Sequence, residues 1–205
     1  EWSSIVNELD PWNGYAVYNR TANDQTIILD PTVSSAGLAA RVVDQEEGWL
    51  ISLRVSADEY QDRFNTFGAL ETADNGLDWH DNPEMAPMGN HISIHFNSII
   101  ESSVVPMTSD LRQTMDQVQI WDGEISGSGL TEPVELSWNV EKAPTGDIVV
   151  NLIDLNTRKV LDLSAPDQYL LGDLDDRYSR QIKIVAGDPE QVALAVDEIL
   201  ATIPE

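Results

Sequence analysis

Short segments in which apolar and polar residues alternate, separated by turn formers, make up most of this chain. GWLISLRVSA (48–57) places Trp49, Ile51, Leu53 and Val55 on one face and Ser52, Arg54 and Ser56 on the other, the period-two pattern of a half-buried strand. HISIHF (91–96) alternates likewise, with Ile92, Ile94 and Phe96 against His91, Ser93 and His95. GYAVYN (14–19) and QTIILD (25–30) join through the polar turn Arg20-Thr21-Ala22-Asn23-Asp24 and predict a hairpin. Further strands are predicted near 38–43, 102–106 and 116–122.

SGSG at 126–129 interrupts this pattern and reads as a linker or loose turn. Beyond it, VELSWNV (134–140) alternates Val134, Leu136, Trp138 and Val140. DIVVNLIDL (147–155) and KVLDL (159–163) flank Asn156-Thr157-Arg158 and predict a second hairpin, and YSRQIKIVAG (178–187) predicts a closing strand. Regular short strands between turn signals predict an all-β chain of tandem antiparallel, immunoglobulin-like β-sandwiches, one over 1–125 and one over 130–187.

The last eighteen residues, DPEQVALAVDEILATIPE (188–205), switch to a helical period. Asp188 is the predicted N-cap, Pro189 the first helical residue and Glu190 an acid in the first turn. Val192, Val196, Ile199, Leu200 and Ile203 fall on one apolar stripe. Such a stripe must be covered, either by the helix's own domain or by a neighbouring subunit.

Composition adds one strong constraint. Against 36 Asp and Glu the 205-residue chain has 11 Lys and Arg, a formal net charge of -25. That field repels nucleic acid and anionic membranes and favours cations or high solubility. It also keeps copies apart at low salt, so salt or divalent ions would assist any assembly. A saline habitat accounts for the same composition without any binding role. There is no Cys, so disulfides and thiolate chemistry are excluded. No apolar run approaches the ~18 residues of a membrane span, and Glu1-Trp2-Ser3-Ser4 does not read as a signal peptide.

EPVELSWNV, GDIVVNLIDLNTRKVLDL, YLLGD and YSRQIKIVAG, all within 132–187, resemble the C-terminal immunoglobulin-like modules of large secreted bacterial proteins. These are modules of the flagellar-hook-capping type or of the kind that carries a type IX-like sorting signal. Upstream, YQDRFNTFG and MGNHISIHFN resemble the module that often precedes it, and LDPWNGYAVYN the end of an earlier sandwich. The resemblance implies an extracellular or cell-surface protein, delivered after removal of a signal or precursor segment. Two departures stand out: the added helix, and a start in mid-module. They suggest a processed portion of a longer precursor, with 1–13 as an incomplete or donated segment.

The chemistry that the residues offer is sparse. TADNGLDWHDNPE (72–84) gathers Asp74, Asp78, Asp81 and Glu84, hard oxygen ligands of the type calcium takes six to eight at a time. The spacing is not that of an EF-hand, and an acidic turn kept in water is the competing reading. His80, His91 and His95 are the three histidines. On one strand, positions four apart lie roughly 13 Å from each other, too far for zinc bonds of about 2.0–2.1 Å, so a three-His zinc site is not expected. No G-x-S-x-G elbow, Cys nucleophile, GxGxxG or P-loop occurs. Among 36 acids some pair must fall at a glycosidase-like separation, which empties that signal of meaning. Asn19-Arg20-Thr21 matches a glycosylation sequon, a frequent chance match. Trp49 and Trp138 read as core, whereas Trp79 and Trp121 are candidates for an exposed contact surface.

Two functions follow from this reading. The first is a non-enzymatic, extracellular structural protein that assembles with itself or with other cell-surface proteins, through Trp2 and Trp12 in segment 1–13 and through Val192, Val196, Ile199, Leu200 and Ile203 in the helix. No cofactor is required; calcium is the one candidate. The second is a non-catalytic accessory module of a secreted hydrolase that binds carbohydrate or export machinery through Trp79, Trp121 and the acidic loop.

Overall fold

The computed structural model describes residues 47–100, 102–114, 117–171 and 177–204. The hairpin predicted over 14–30, the strand near 38–43, and segment 1–13 with Trp2 and Trp12 lie outside those residues.

The described elements are, in chain order, β1 (Gly48–Ala57), β2 (Tyr60–Leu70), β3 (Asn82–Pro83), β4 (His91–Ile100), β5 (Ser103–Gln113), β6 (Gln119–Ser128), β7 (Glu135–Lys142), β8 (Val149–Asp154), β9 (Lys159–Asp162), β10 (Asp167–Leu170), β11 (Arg177–Gly187) and helix α1 (Pro189–Thr202). The protein is therefore mostly β with one helix, as the alternation predicts. The strands join in one sheet, in the order β10-β7-β1-β2-β5-β4-β6-β11-β8-β9, with β3 attached to β5. That sheet curls into a half-barrel. The β2–β5 pair is parallel and the other pairs are antiparallel.

The apolar face of each alternating strand lines the inside of the curl. Trp49, Ile51, Leu53 and Val55 of β1, Ile92, Ile94 and Phe96 of β4, Leu136 and Trp138 of β7, and Ile182 and Ile184 of β11 share one buried cluster. Trp121 of β6 lies at its centre, fully buried and edge-on to Trp49 (ring centroids 5.8 Å apart) and Phe67 (5.5 Å).

Tandem sandwiches divided at 126–129 are not what these strands build. β6 runs through Ser126–Ser128, pairing with β4 on one side and β11 on the other. β7, expected in the second sandwich, pairs with β1, with Trp138 opposite Leu53. The glycines there serve packing and turning. A Cβ at Gly127 would sit 2.5 Å from a methyl of Leu130, which packs against the core, and Gly129 turns the chain at φ +66°. Residues Glu46–Glu205 accordingly cluster as one compact unit.

The second predicted hairpin is present as β8 and β9. Its turn is organised by buried Asp154, whose Oδ1 accepts the Asn156 and Thr157 N–H groups and whose Oδ2 accepts the Thr157 hydroxyl and Arg180. Helix α1 begins as predicted, with Asp188 Oδ1 accepting the N–H groups of Glu190 and Gln191. Its stripe is covered inside the chain. Val192 and Val196 are buried with Ile153 of β8 and Val185 of β11, while Ile199 and Leu200 pack partly against them. Ile203 is half-buried beside the helix end. Val192 and Val196 are therefore not presented to a neighbouring subunit, because the outer face of β8 and β11 is itself apolar and takes them. The helix has no basic residue in its last turn; Arg158, from the β8–β9 turn, donates to the Leu200 carbonyl (2.9 Å) and places a cation at the negative end of the helix dipole.

Replacing the central ring should cost more than any surface change. Trp121→Ala is expected to lower unfolding free energy by about 3–5 kcal/mol, the range for a large buried aromatic. Urea denaturation of both proteins measures it; a loss under about 1 kcal/mol would place Trp121 outside the core.

Candidate functional site

The acidic loop between β2 and β4 runs beside β5 as a strap, and most of its polar side chains are engaged in tying it down. Asp78 accepts the N–H of Asp74 at Oδ2 (2.7 Å) and of His80 at Oδ1 (2.5 Å). Asp81, buried, accepts the Asp78 N–H at Oδ2 (3.0 Å) and the Leu111 N–H of β5 at Oδ1 (2.9 Å). Asn75 Oδ1 accepts the Gln113 N–H (3.2 Å). Side-chain oxygens thus take β5 donors where a ladder strand would offer carbonyls. Ser109 of β5 receives Asn82 Nδ2 (2.8 Å) and donates to the His80 carbonyl (2.9 Å). Glu84 closes the strap: its N–H donates to the Pro106 carbonyl (2.8 Å), and its carboxylate accepts Thr108 (2.5 Å) and Ser93 (3.3 Å).

The four predicted calcium ligands are therefore spread along the strap. Asp78 and Asp81 face backbone donors, Glu84 faces the hydroxyls of β4 and β5, and Asp74 is exposed. Among the described residues no three His, Cys, Asp or Glu side chains are grouped so as to hold a metal ion. The three histidines are likewise separate in their contacts. His80 is buried with Nε2 at 3.2 Å from the Thr72 hydroxyl, His91 contacts the Gly89 carbonyl (2.9 Å), and His95 lies on the outer face of β4.

The two candidate tryptophans part company. Trp121 is buried, with Nε1–H donating to the Asp110 carbonyl (3.1 Å) and Arg112 stacked over its ring at 4.6 Å, so it forms no part of a binding surface. Arg112 is held there by a two-pronged contact to Asp110 (3.0 and 3.1 Å) and by the Ile120 carbonyl (2.8 Å). Trp79 is 52% exposed on the strap. Its ring lies over that of His80, centroids 3.8 Å apart.

The sequence reading did not assemble a second polar group. Asp62 of β2, Ser93 and His95 of β4 and Glu124 of β6 lie near one another and near Glu84 of the strap. Asp62 accepts the Ile94 N–H (3.0 Å), and Glu124 accepts Ser179 (2.6 Å). The signal for it was the polar half of the His91–Phe96 alternation, which does not by itself name Asp62 or Glu124. The Ser179 hydroxyl holds Glu124 below the usual glutamate range, and burial lowers His95. The chain also carries an open acidic cleft at the β1–β2 turn, lined by Asp58, Glu59, Tyr60, Thr131 and Glu132. There Asp58 adopts φ 51° and accepts both the N–H and the hydroxyl of Thr131.

No family model, curated protein or solved structure matches the chain. Among the described residues no helix is long and apolar enough to cross a membrane.

Burial pushes the Asp81 carboxyl up from 3.8 to about 6, against the two N–H groups that favour its charge, and burial raises Glu84 in the same direction. A carboxyl raised on folding holds its proton more tightly in the folded state. Its contribution is complete below the unfolded pKa near 3.8 and is lost as pH rises through about 6. Thermal melts at fixed salt should therefore show wild type losing stability between about pH 4 and pH 6 relative to Asp81→Asn. A wild type that gains stability over Asp81→Asn in that interval would contradict the assignment.

Proposed function

We propose that this chain is an extracellular structural protein, a β-rich subunit that associates with copies of itself or docks in a cell-surface assembly. The observation that carries the reading is the tip of the β4–β5 hairpin. Ile99 and Val104 stand directly opposite each other there, 79% and 66% exposed. Pro106, next on the same face of β5, is exposed as well. Met85 is 46% exposed and follows Glu84, whose N–H is bonded to the Pro106 carbonyl. An isolated exposed aliphatic residue needs no explanation, but a cross-strand pair backed by a proline and a methionine is the kind of patch that marks a contact surface.

Charge shapes how such a contact would form. At -25 the chain repels its own copies, so salt would assist any contact made through the hairpin pair. The placement outside the cell rests on the sequence resemblance to C-terminal modules of secreted bacterial proteins.

Sedimentation velocity and negative-stain microscopy at about 0.05 M and about 0.5 M salt test the reading. Wild type should associate at the higher salt, into dimers or longer assemblies. Ile99→Lys with Val104→Lys should remain monomeric under both conditions, with its melting temperature little changed because neither side chain is in the core. A wild type that stays monomeric throughout, or a double variant that assembles as wild type does, would refute the proposal.

A further inference from the structure

The strap carries the pair Asn75-Gly76, and the fold leaves it open to a reaction between its own atoms. Both residues are exposed, in the stretch between the end of β2 at Leu70 and the start of β3 at Asn82. A Cβ at position 76 would meet nothing within 4 Å, so no neighbour crowds this peptide. The Gly76 N–H has no hydrogen-bond acceptor among the described residues. The Asn75 side chain, by contrast, is engaged: its Oδ1 accepts the Gln113 N–H (3.2 Å) at the end of β5. A donor on a carbonyl oxygen stabilises the negative charge that develops there when the carbon is attacked.

We infer that Asn75 is a site of spontaneous deamidation, through which the strap changes its covalent structure as the protein ages. Hydroxide takes the Gly76 N–H proton, and the nitrogen attacks Asn75 Cγ. The new C–N bond closes a five-membered succinimide. The Cγ–Nδ2 bond breaks, and ammonia leaves with a proton from water, which regenerates hydroxide. Water then opens the ring. Cleavage at Cγ gives aspartate; cleavage at the main-chain carbonyl gives isoaspartate, in which the backbone runs through Cβ and Cγ. Nothing is oxidised or reduced, and either product carries one more negative charge. Aspartate keeps an acceptor for the Gln113 N–H. Isoaspartate lengthens the main chain by one carbon and holds its carboxylate directly on Cα, so the tie to β5 is lost. The other asparagines of the described residues lack this combination. Asn65 is buried, and Asn82 precedes Pro83, which has no N–H. Asn97, Asn139 and Asn151 lie inside strands, and the N–H that follows Asn156 is held by Asp154 Oδ1 (3.3 Å). Asn90 is followed by the larger His91. The reaction needs no partner, so it stands apart from self-association.

Peptide mapping by mass spectrometry tests the inference on the full chain, held at mildly alkaline pH and sampled over weeks, with isoaspartate detected by enzymatic methylation. The fragment that contains Asn75 should gain about one mass unit at least tenfold faster than any with another described asparagine, and part of the product should be isoaspartate. Gly76→Ala should slow the change at least fivefold with an unaltered melting temperature, because the added methyl group meets no atom of the fold. Exchange of the Gln113 amide should quicken in the isoaspartyl product and not in Asn75→Asp. A synthetic peptide of residues 72–84 gives the rate without the fold. A peptide that converts while the folded chain stays intact, another described asparagine that keeps pace with Asn75, or a Gly76→Ala chain that converts as fast as wild type would overturn the inference.

Discussion

The curl of the sheet depends on one aromatic cluster. Trp49 from β1, Phe67 from β2, Phe96 from β4 and Trp121 from β6 meet inside it, with centroids 5.5–5.8 Å apart along the chain of contacts. Offset and edge-on rings at such distances add to the burial of their large apolar area. Four strands that are not all neighbours in the sheet reach one another only if the sheet bends. The polar edge of the cluster is satisfied from the same elements, the Trp121 N–H by the Asp110 carbonyl and the ring face by Arg112, itself clasped by Asp110. With its N–H paired, the Trp121 ring is buried without leaving a stranded donor.

The rest of the architecture follows from that bend. β9 and β10 are the two ends of the sheet, yet only residues 163–166 connect them, so five Cα steps hold the ends within about 18 Å. The Thr157 hydroxyl and the Tyr169 hydroxyl, from the two sides, lie 3.3 Å apart. Unpaired edges are thus short and turned toward each other, a disposition that limits uncontrolled edge pairing. On the outside, β8 and β11 carry a second apolar row that α1 covers. The strap runs beside β5, where Asp78 and Asp81 hold backbone donors and Glu84 holds two hydroxyls.

Alternation read correctly wherever a strand has one apolar and one polar face, as in β1, β4, β7 and β11, and capping chemistry located α1. It failed where polar groups point inward. β2 was invisible to it because Asn65 is buried opposite Leu53 with its amide unpaired among the described residues, while Phe64 faces out. β5 runs well past the predicted 102–106 because Asp110 and Arg112 enter the curl as a mutually satisfied pair. Trp121 read as a candidate for an exposed surface, yet it is buried, and so is Gln119 on the same strand, its amide donating to the Gln113 carbonyl (2.7 Å). SGSG looked like a linker because nothing in the sequence says that Leu130 fills the space over Gly127. In the acidic loop the residue types suggested a cation site, and the sequence does not show that Asp78 and Asp81 accept backbone N–H groups and Glu84 the hydroxyls of Ser93 and Thr108.

Native-state hydrogen exchange tests the central claim, one sheet and one core spanning residues 48–187. The slowest amides of β1, β6, β7 and β11 should open with a single free energy and a common denaturant dependence. Separate openings, with β7, β8 and β11 released as one unit and β1, β2, β4 and β6 as another, would contradict it and restore two independent modules.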